Sequence, residues 1–375
     1  MYSLARRIQK VTIYSFHSTT NMGFFDRFKS NKNSALPKGA HLLTVKNVSA
    51  LSAQAVQIDF LVPDTLRANF QFQAGQYLTL ALDIHGEQLR RSYSICSSSS
   101  AGLSIGVKAI ANGKASNFLQ NIKAGEEVIV FEPEGNFTWK PEYKKAVAIA
   151  AGSGITPIMS MLQTAGAQTD FHLFYGNKSP EEALFLPAIQ ALSNTQTQLF
   201  YSQKEVEGAQ YGRIDDAALK AQIKADLSIL QADAFFLCGP QQMVVSAEKT
   251  LAFFGVSPQK IHKELFFVSE EKPTSSAEAT FSGKSHVKVM IDGDLATFDM
   301  QGQDKSILEL SEKAGLDAPF SCRGGVCSSC RAKVLKGSAA MRMNHTLTDS
   351  EIADGYILTC QAYATSAELI ISFDE

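Results

Sequence analysis

Four cysteines near the C-terminal end constrain this chain more than any other feature. They are Cys322, Cys327, Cys330 and Cys360. Their order is C-x4-C-x2-C and then, after 29 intervening residues, C, a spacing with which thiolates hold a [2Fe–2S] cluster. Gly324 and Gly325 stand between the first two, where backbone N–H groups can approach the cluster sulfurs. The pattern predicts an electron carrier with these four thiolates as metal ligands.

Two alternatives use the same thiols. Cys327 and Cys330 alone could form half of a zinc site or a dithiol pair. Neither explains four cysteines with two glycines between them, and a structural zinc site usually brings two C-x2-C-like pairs. Cys96 and Cys238 stand alone in apolar stretches, and we expect both to be buried thiols.

Composition narrows the class of protein. The 375 residues, 45% of them apolar, suffice for two or three domains with a core each. A net charge of −2 predicts no nucleic-acid or anionic-membrane partner. No apolar run reaches about 18 residues, so we expect no membrane span. Four cysteines are predicted metal ligands and the other two are unpaired, which is typical of a reducing compartment. We therefore predict a cytoplasmic location.

Residues 1–39 are predicted to be a disordered or mis-started extension. Residues 1–21 are basic, lack acidic side chains and are rich in Ser and Thr, as transit peptides are. The alternative is that translation starts at Met22.

Residues 40–140 carry six short apolar and β-branched runs separated by Gly, Pro and Asn. The runs are 41–48, 55–62, 76–82, 90–96, 103–110 and 127–131. Such spacing predicts a small antiparallel β-barrel.

Residues 141–268 alternate between strand and helix patterns. A strand at 146–151 meets a glycine turn, after which Thr156 is predicted to cap a helix with Pro157 in its first position. Further strands are predicted at 171–175, 198–202 and 233–237, and helices at 180–192 and 241–254. The alternation predicts a parallel sheet covered by helices.

A linker is predicted over 269–285, where large apolar residues are scarce. A third unit follows over 286–375. Asp292-Gly293 between two strand patterns predicts a hairpin. Ser306 and Glu309 form a capping box for a short helix that ends at Gly315.

Two further motifs carry chemistry. In Arg91-Ser92-Tyr93-Ser94 the arginine can fork onto a phosphate, the ring can stack on a flat heterocycle and Ser94 can reach a ring nitrogen. In isolation, a half-buried strand is the better explanation of these four residues.

Gly152-x-Gly154-x-Thr156-Pro157 offers a helix N-terminus to an anion, although it lacks the three-glycine dinucleotide fingerprint. Cys238-Gly239-Pro240 ends the last predicted strand of that sheet, at the edge where ligands of α/β folds bind. A plain turn is the alternative for Gly239-Pro240.

The order of these motifs is more specific than any one of them. R-x-Y-S in a barrel, G-S-G-I-T-P opening an α/β unit, C-G-P on its last strand and the cysteine pattern together resemble the ferredoxin–NADP⁺ reductase superfamily with a fused plant-type ferredoxin domain. The resemblance covers residues 40–375. The sequence around the cysteines is most similar to that of reductase subunits of ring-1,2-phenylacetyl-CoA epoxidases.

The resemblance implies a multidomain fold. Its parts are an FAD-binding antiparallel β-barrel over 40–140, an NAD(P)-binding α/β domain with a parallel sheet over 141–268, the linker, and an α+β ferredoxin domain of the β-grasp type over 286–375.

The resemblance also implies roles for individual residues. Arg91 would bind the FAD phosphates, Tyr93 the isoalloxazine, and Ser94 would lie near its N5. The implied pyrophosphate loop consists of Gly113, Lys114, Ala115 and Ser116. The implied nicotinamide dinucleotide contacts are Gly152, Gly154, Thr156, Pro157, Cys238 and Gly239. The implied catalytic group beside the flavin comprises Ser94, Cys238, Glu264 and Phe266.

The implied function is electron transfer from NAD(P)H through FAD and the [2Fe–2S] cluster to an oxygenase, in phenylacetate degradation. A stand-alone reductase for a ferredoxin, flavodoxin or metalloprotein acceptor is the alternative. Ser202 and Lys204 follow a strand where NADP-using relatives bind the 2′-phosphate, although Gln203 replaces the common arginine. They favour NADPH over NADH.

Overall fold

The structure, a computed structural model, describes residues 36–166, 168–266, 281, 283–291 and 293–375. The predicted extension lies outside the described residues up to position 35, as does the predicted linker from 269 to 280. Leu36–Glu375 packs as one unit. Within the described ranges, no helix has both the length and the apolar character that crossing a bilayer requires.

The first six strands form the predicted antiparallel barrel. They are β1 (Ala40–Ser52), β2 (Ala55–Leu61), β3 (Tyr77–Ile84), β4 (Glu87–Ser94), β5 (Leu103–Lys108) and β6 (Glu127–Phe131). Their order is β4-β3-β6-β1-β2-β5, and a bridge between Ile95 and Ile105 joins the two outer strands. Helix α1 (Lys114–Leu119) buries Ala115 and Leu119 in the barrel core.

A parallel sheet follows. Its strands are β7 (Lys145–Ala151), β8 (Asp170–Asn177), β9 (Thr195–Tyr201), β10 (Gln210–Tyr211), β11 (Ala234–Gly239) and β12 (Ile261–Leu265). The order β10-β9-β8-β7-β11-β12 places β7 beside β11, where the direction of the strand order reverses. Ligands of open α/β sheets bind at such a point.

Four helices cover this sheet. They are α2 (Ile155–Thr164), α3 (Leu186–Gln190), α4 (Asp216–Ala225) and α5 (Gln241–Phe253). The apolar residues of the sheet belong to two core clusters. One contains Phe171 and Phe236, and the other contains Phe174 and Phe235.

Two helix predictions were wrong in detail. Thr156 does not cap α2, because a 3₁₀ turn (Gly152–Gly154) leads directly into the helix. Thr156 Oγ1 donates to the Ser153 carbonyl (2.9 Å) instead. Pro157 is the third helical residue rather than the first. The predicted helix over 180–192 is broken, because Phe185 adopts a left-handed φ of 58° and only Leu186–Gln190 is α-helical.

The third domain is an α+β unit. Its strands are β13 (Lys284–Ile291), β14 (Asp294–Gln301), β15 (Arg331–Lys336), β16 (Ala339–Met341), β17 (Tyr356–Leu358), β18 (Ala362–Ala364) and β19 (Glu368–Ser372). Five of them form the sheet β14-β13-β19-β15-β17, and β16 pairs with β18.

Two short helices complete this domain. The predicted capping box of Ser306 and Glu309 opens α6 (Ile307–Lys313), and Gly315 follows with a φ of 88°. A second capping box, which the sequence prediction missed, opens α7 (Asp349–Ala353).

Glycines allow the barrel and the parallel sheet to pack closely. A Cβ on Gly106 of β5 would lie 2.5 Å from Thr156 Cγ2, and one on Gly154 would lie 2.2 Å from the Cys238 carbonyl oxygen. Phe137 and Trp139, in the connection between β6 and β7, belong to the core cluster of the parallel sheet. The switch point of the sheet is therefore held against the barrel.

We expect Gly154→Ala to destabilise the fold by about 1–3 kcal/mol, because the new methyl group collides with main-chain atoms that cannot rotate away. Urea denaturation measures the loss. Gly166→Ala is the control, since a Cβ there meets no atom within 4 Å, and we expect a change within about 0.5 kcal/mol. Equal stability of the two variants would contradict the close approach.

Candidate cofactor sites

The four cysteines converge as predicted. Cys322 Sγ lies 3.1 Å from Cys327 Sγ, and the Cys360 thiol contacts those of Cys322 and Cys330. These contacts hold the pKa of Cys322 well below its usual range. The backbone N–H of Gly324 points at Cys322 Sγ (3.3 Å). An all-thiolate donor set with inward-pointing amides fits a [2Fe–2S] cluster.

Glycine and a strained arginine shape this loop. Gly325 has a φ of 72°, and a Cβ there would come within 3.0 Å of the Met343 carbonyl oxygen. Arg323 also has a positive φ of 53°, a conformation that non-glycine residues rarely adopt. Its carbonyl accepts a hydrogen bond from Gln361, and its guanidinium lies 3.9 Å from the ring centroid of Phe320. These contacts hold the loop open around the sulfurs.

The ligand loop contacts both preceding domains. Ser92 of the R-x-Y-S motif donates to Ser321, which directly precedes the first ligand (2.7 Å). Val326, between the first two ligands, packs against the apolar cluster of the parallel-sheet domain. The cluster position therefore borders the barrel motif predicted to bind the flavin.

The barrel residues predicted to bind FAD lie at the end of β4. Arg91 is exposed and donates to the carbonyl of Arg90 (2.7 Å), so its outer face is open to a phosphate. Tyr93 is half-buried and contacts the barrel core. The Ser94 side chain is buried. These positions fit a flavin placed across the end of the strand.

The predicted pyrophosphate loop supplies main-chain groups. Ser116 Oγ accepts from Ile110 N (3.2 Å) and lies 3.3 Å from the Gly113 carbonyl oxygen, which closes the loop. Lys114 Nζ pairs with Glu87, and Ala115 is buried. Since Gly113 gives α1 no side-chain cap, its first-turn N–H groups fit a phosphate.

Ser94, Glu264 and Cys238 meet between the barrel and the sheet. Cys238 and Glu264 are opposite each other in the β11–β12 register, and Cys238 is completely buried. Although part of Glu264 is exposed, its Oε2 is inaccessible to solvent and has no hydrogen-bond partner. Such an unsatisfied buried oxygen fits a site completed by a bound group.

Burial controls the protonation of Glu264 and Cys238. It raises the pKa of Glu264 to about 8, a rise that the Ser94 hydroxyl partly opposes. Burial, with a smaller effect from Glu264, also raises the pKa of Cys238. At neutral pH, both side chains are therefore protonated and uncharged.

A cleft of about 550 Å³ opens at the switch point. Gly152, Gly239 and Phe266 line it together with Ser202. Gly154, Thr156 and Pro157, predicted as nucleotide contacts, lie behind the wall and pack against Cys238 and the barrel. They shape the cleft, and their direct contact with a nucleotide stays a prediction.

The basic side chains of the cleft differ from the prediction. Lys204 pairs with Glu181 and is not among the residues lining the cleft. Lys178 and Arg213 line it with Ser202 instead. Sequence reasoning missed Arg213, although Gly212-Arg213 follows β10 directly and a strand end of this sheet is where a ligand contact is expected.

Asn177 was also missed. It lines the cleft at the end of β8, and its amide oxygen and nitrogen are both inaccessible to solvent without a hydrogen-bond partner in the structure. An unsatisfied amide at the carboxyl edge of a parallel sheet fits a nucleotide site. No motif of the sequence pointed to it.

Comparison with known proteins agrees with this architecture. Residues 42–139 match the oxidoreductase FAD-binding domain family, residues 148–249 the oxidoreductase NAD-binding domain family, and residues 289–365 the 2Fe-2S iron-sulfur cluster binding domain family.

Two relatives match along nearly their whole length. One, a subunit of the 1,2-phenylacetyl-CoA epoxidase of Escherichia coli (strain K12), is 35% identical over 89% of this chain and 98% of its own. The other, the ferredoxin reductase component of 3-ketosteroid-9-alpha-monooxygenase from Rhodococcus rhodochrous, is 30% identical over 90% of this chain and 99% of its own.

A solved structure shares the fold. Phthalate dioxygenase reductase, described as a modular structure for electron transfer from pyridine nucleotides to [2Fe–2S], aligns with a TM-score of 0.55 over 89% of this chain and 98% of its own, at 24% identity.

A flavin barrel, a dinucleotide sheet and a set of four thiolates, three of them on a loop in contact with both, define an oxidoreductase that uses NAD(P)H, FAD and a [2Fe–2S] cluster for electron transfer. The chain belongs to the ferredoxin–NADP⁺ reductase superfamily, among its members with a C-terminal plant-type ferredoxin domain. The predicted fold class and cofactors are thereby confirmed.

The raised pKa of Glu264 makes stability depend on pH. Between its ordinary value of 4.5 and about 8, the folded protein holds a proton that the unfolded chain has lost, so stability falls as the pH rises through this window. We expect Glu264→Gln to remove a slope of up to about 1.4 kcal/mol per pH unit.

Urea denaturation from about pH 5 to about pH 9 measures that slope. Glu248→Gln is the control, because Glu248 pairs with Lys263 at the surface (2.8 Å). Identical slopes for wild type and Glu264→Gln would show that Glu264 is not buried in its neutral form.

Proposed function

We propose that this protein is the reductase component of a phenylacetyl-CoA epoxidase, passing electrons from NAD(P)H to a di-iron oxygenase in phenylacetate degradation. Similarity over 98% of the length of the Escherichia coli epoxidase protein carries the proposal. Cytoplasmic location is part of it, supported by a cysteine composition of four ligands and two unpaired thiols.

The residues at the cofactor sites have separate roles. Bound FAD supplies the exchange between the two-electron chemistry of a nicotinamide and the one-electron chemistry of the cluster. Arg91, Tyr93 and the first turn of α1 would hold it. Glu264 keeps a proton inside the junction of barrel and sheet, where Ser94 and Cys238 add uncharged groups. Phe266 covers the same end of the cleft.

A different acceptor is the second candidate, either another oxygenase or a ferredoxin, flavodoxin or metalloprotein. The 30% identity with a 3-ketosteroid monooxygenase reductase component over a similar length favours it. Both candidates share the route to the cluster and differ only in the partner protein.

Anaerobic reduction followed by mixing with candidate oxygenases tests the acceptor. With the di-iron subunits of a phenylacetyl-CoA epoxidase, we expect cluster reoxidation and, once O₂ is admitted, product formation from phenylacetyl-CoA. Cys330→Ser should abolish both because it removes a cluster ligand. NAD(P)H-driven ferricyanide reduction should be largely retained.

Two outcomes would contradict the proposal in distinguishable ways. Loss of ferricyanide reduction in Cys330→Ser would argue against the order of flavin before cluster. An intact cluster that passes electrons to a different oxygenase but not to the di-iron subunits would leave the order standing and refute the acceptor.

We also infer that NADPH is the preferred donor and that Ser202, Arg213 and Lys178 bind its 2′-phosphate. Arg213 and Lys178 bring two positive charges to the wall that holds Ser202, against one negative charge from Asp215, and Lys178 lies 3.9 Å from Glu182. Lys204 is engaged by Glu181 outside that wall. An arginine fork suits a phosphate better than an isolated ammonium group.

Arg213→Ala should lower kcat/KM for NADPH about tenfold or more while changing that for NADH little, since only one donor carries the phosphate. Lys204→Ala is the matched control and should change neither by much. Steady-state ferricyanide reduction with each donor gives the values. An equal loss with both donors in Arg213→Ala would exclude the phosphate contact.

A further inference from the structure

The ligand loop is tied to the barrel at both ends. Ser321 precedes the first ligand, and Ser329 precedes the third. Ser92 donates to Ser321 (2.7 Å), and Ser329 Oγ donates to Glu134 Oε2 (3.2 Å). Two hydrogen bonds from one domain therefore hold the residues directly before the first and the third of the four ligands.

The contact at Ser329 is a three-membered cluster. Tyr77 at the start of β3 donates its hydroxyl to the same Oε2 of Glu134 (3.3 Å) and lies 3.1 Å from Ser329 Oγ. The Tyr77 and Ser329 side chains are buried, whereas Glu134 is open to solvent on its other side. A carboxylate that accepts two hydroxyl hydrogen bonds forms the stronger, charge-assisted kind.

The backbone makes Glu134 a rigid acceptor. Tyr77 N donates to the Glu134 carbonyl (2.9 Å), and Glu134 N donates to the Tyr77 carbonyl (3.0 Å). The carboxylate is therefore fixed to the barrel strand, and Ser329 is the member that belongs to the ferredoxin domain.

A third contact lies beside these two. Arg90 of β4 pairs with Asp317 (2.7 Å), and its guanidinium lies 4.9 Å from the ring centroid of Phe131 and 5.3 Å from that of Phe320. Only 13% of the Arg90 side chain is exposed. Since 58% of the Asp317 side chain is exposed, the ion pair itself contributes little to stability.

We propose that Glu134 and Tyr77 are positioning residues for the transfer of an electron from the flavin to the cluster, acting through Ser329 on the loop that carries Cys327 and Cys330. They touch neither reacting group. They fix the separation and orientation of donor and acceptor, on which the rate of a step between held groups depends steeply. The inference rests on the electron-transfer function and not on the identity of the final acceptor.

The Glu134 carboxylate separates this step from hydride transfer, which we place at the junction of Ser94, Glu264 and the cleft. Tyr77 is opposite Ser94 in the β3–β4 register and its hydroxyl contacts Ser329. Glu134 reaches Ser329 of the ferredoxin domain through its carboxylate. A change at Glu134 should therefore leave flavin reduction by NADPH intact and slow only the reduction of the cluster.

Stopped-flow absorbance of the full-length holoprotein under anaerobic conditions follows both steps after mixing with NADPH. In Glu134→Ala we expect cluster reduction to slow about tenfold or more. FAD content, iron content, the rate of flavin reduction and the electron paramagnetic resonance spectrum of the reduced cluster should match wild type. Tyr77→Phe should slow the same step by less, because the Glu134–Ser329 hydrogen bond remains.

Two further variants distinguish positioning from general weakening. Glu134→Gln keeps an oxygen acceptor at the same place and should restore most of the rate. Glu132→Ala is the matched control: Glu132 is a nearby carboxylate that accepts from Asn69 (2.7 Å) and pairs with His41 (3.0 Å) inside the barrel. It should leave cluster reduction unchanged.

Three results would overturn the proposal. The first is a wild-type rate of cluster reduction in both Glu134→Ala and Tyr77→Phe. The second is loss of iron from Glu134→Ala, because that result would show that the contact stabilises the cluster-binding loop and does not set its position relative to the flavin. The third is an equal slowing in Glu132→Ala.

Discussion

The docking of one nine-residue loop against two domains is the constraint on which the rest of the structure depends. Segment 322–330 carries three sulfurs. It contacts the barrel through Ser329 and the parallel-sheet domain through Val326, and Ser321, directly before it, contacts the barrel as well. A cluster held only within its own domain could sit anywhere that a linker allows. Because side chains of the preceding domains contact the loop, the electron donor and acceptor have a defined spatial relation. Of the four ligands, Cys322 alone retains appreciable exposure.

The other junction of the molecule is close-packed. The absence of a side chain lets Thr156 pack against Gly106 and the Cys238 main chain against Gly154. Phe137 and Trp139, in the connection between the barrel and the sheet, pack on the sheet. Ser94, Cys238 and Glu264 meet within this junction. Burial there keeps a carboxyl and a thiol protonated at neutral pH, because it raises the pKa of each. The same packing that joins two domains therefore sets the electrostatics of the site between them.

Several features could be read from sequence because they are local. The cysteine spacing, the capping box at Ser306 and the strand runs of the barrel reflect backbone geometry over a few residues. The helix predicted over 180–192 was wrong because Phe185 is buried beside Gly106 and takes a left-handed conformation there, a tertiary effect that no periodicity records. Lys204 was predicted at the cleft from its place after β9, yet Glu181, 23 residues earlier, engages it. Asn177 and Arg213 belong to no motif and come together only when β8 and β10 end at one edge.

The sequence by itself determined the [2Fe–2S] ligands, because ligand type and spacing are chemical requirements met within short segments. It indicated FAD and NAD(P)H through the order of its motifs, which resembles that of a known family. It also determined the order of domains. Only the tertiary structure decided where the cluster lies, which carboxylate reaches its loop from 195 residues away and which basic side chains face the cleft. The physical reason is that hydrogen bonds and ion pairs between distant segments depend on how finished domains pack, and packing is set by the whole surface of each domain rather than by any pattern along the chain.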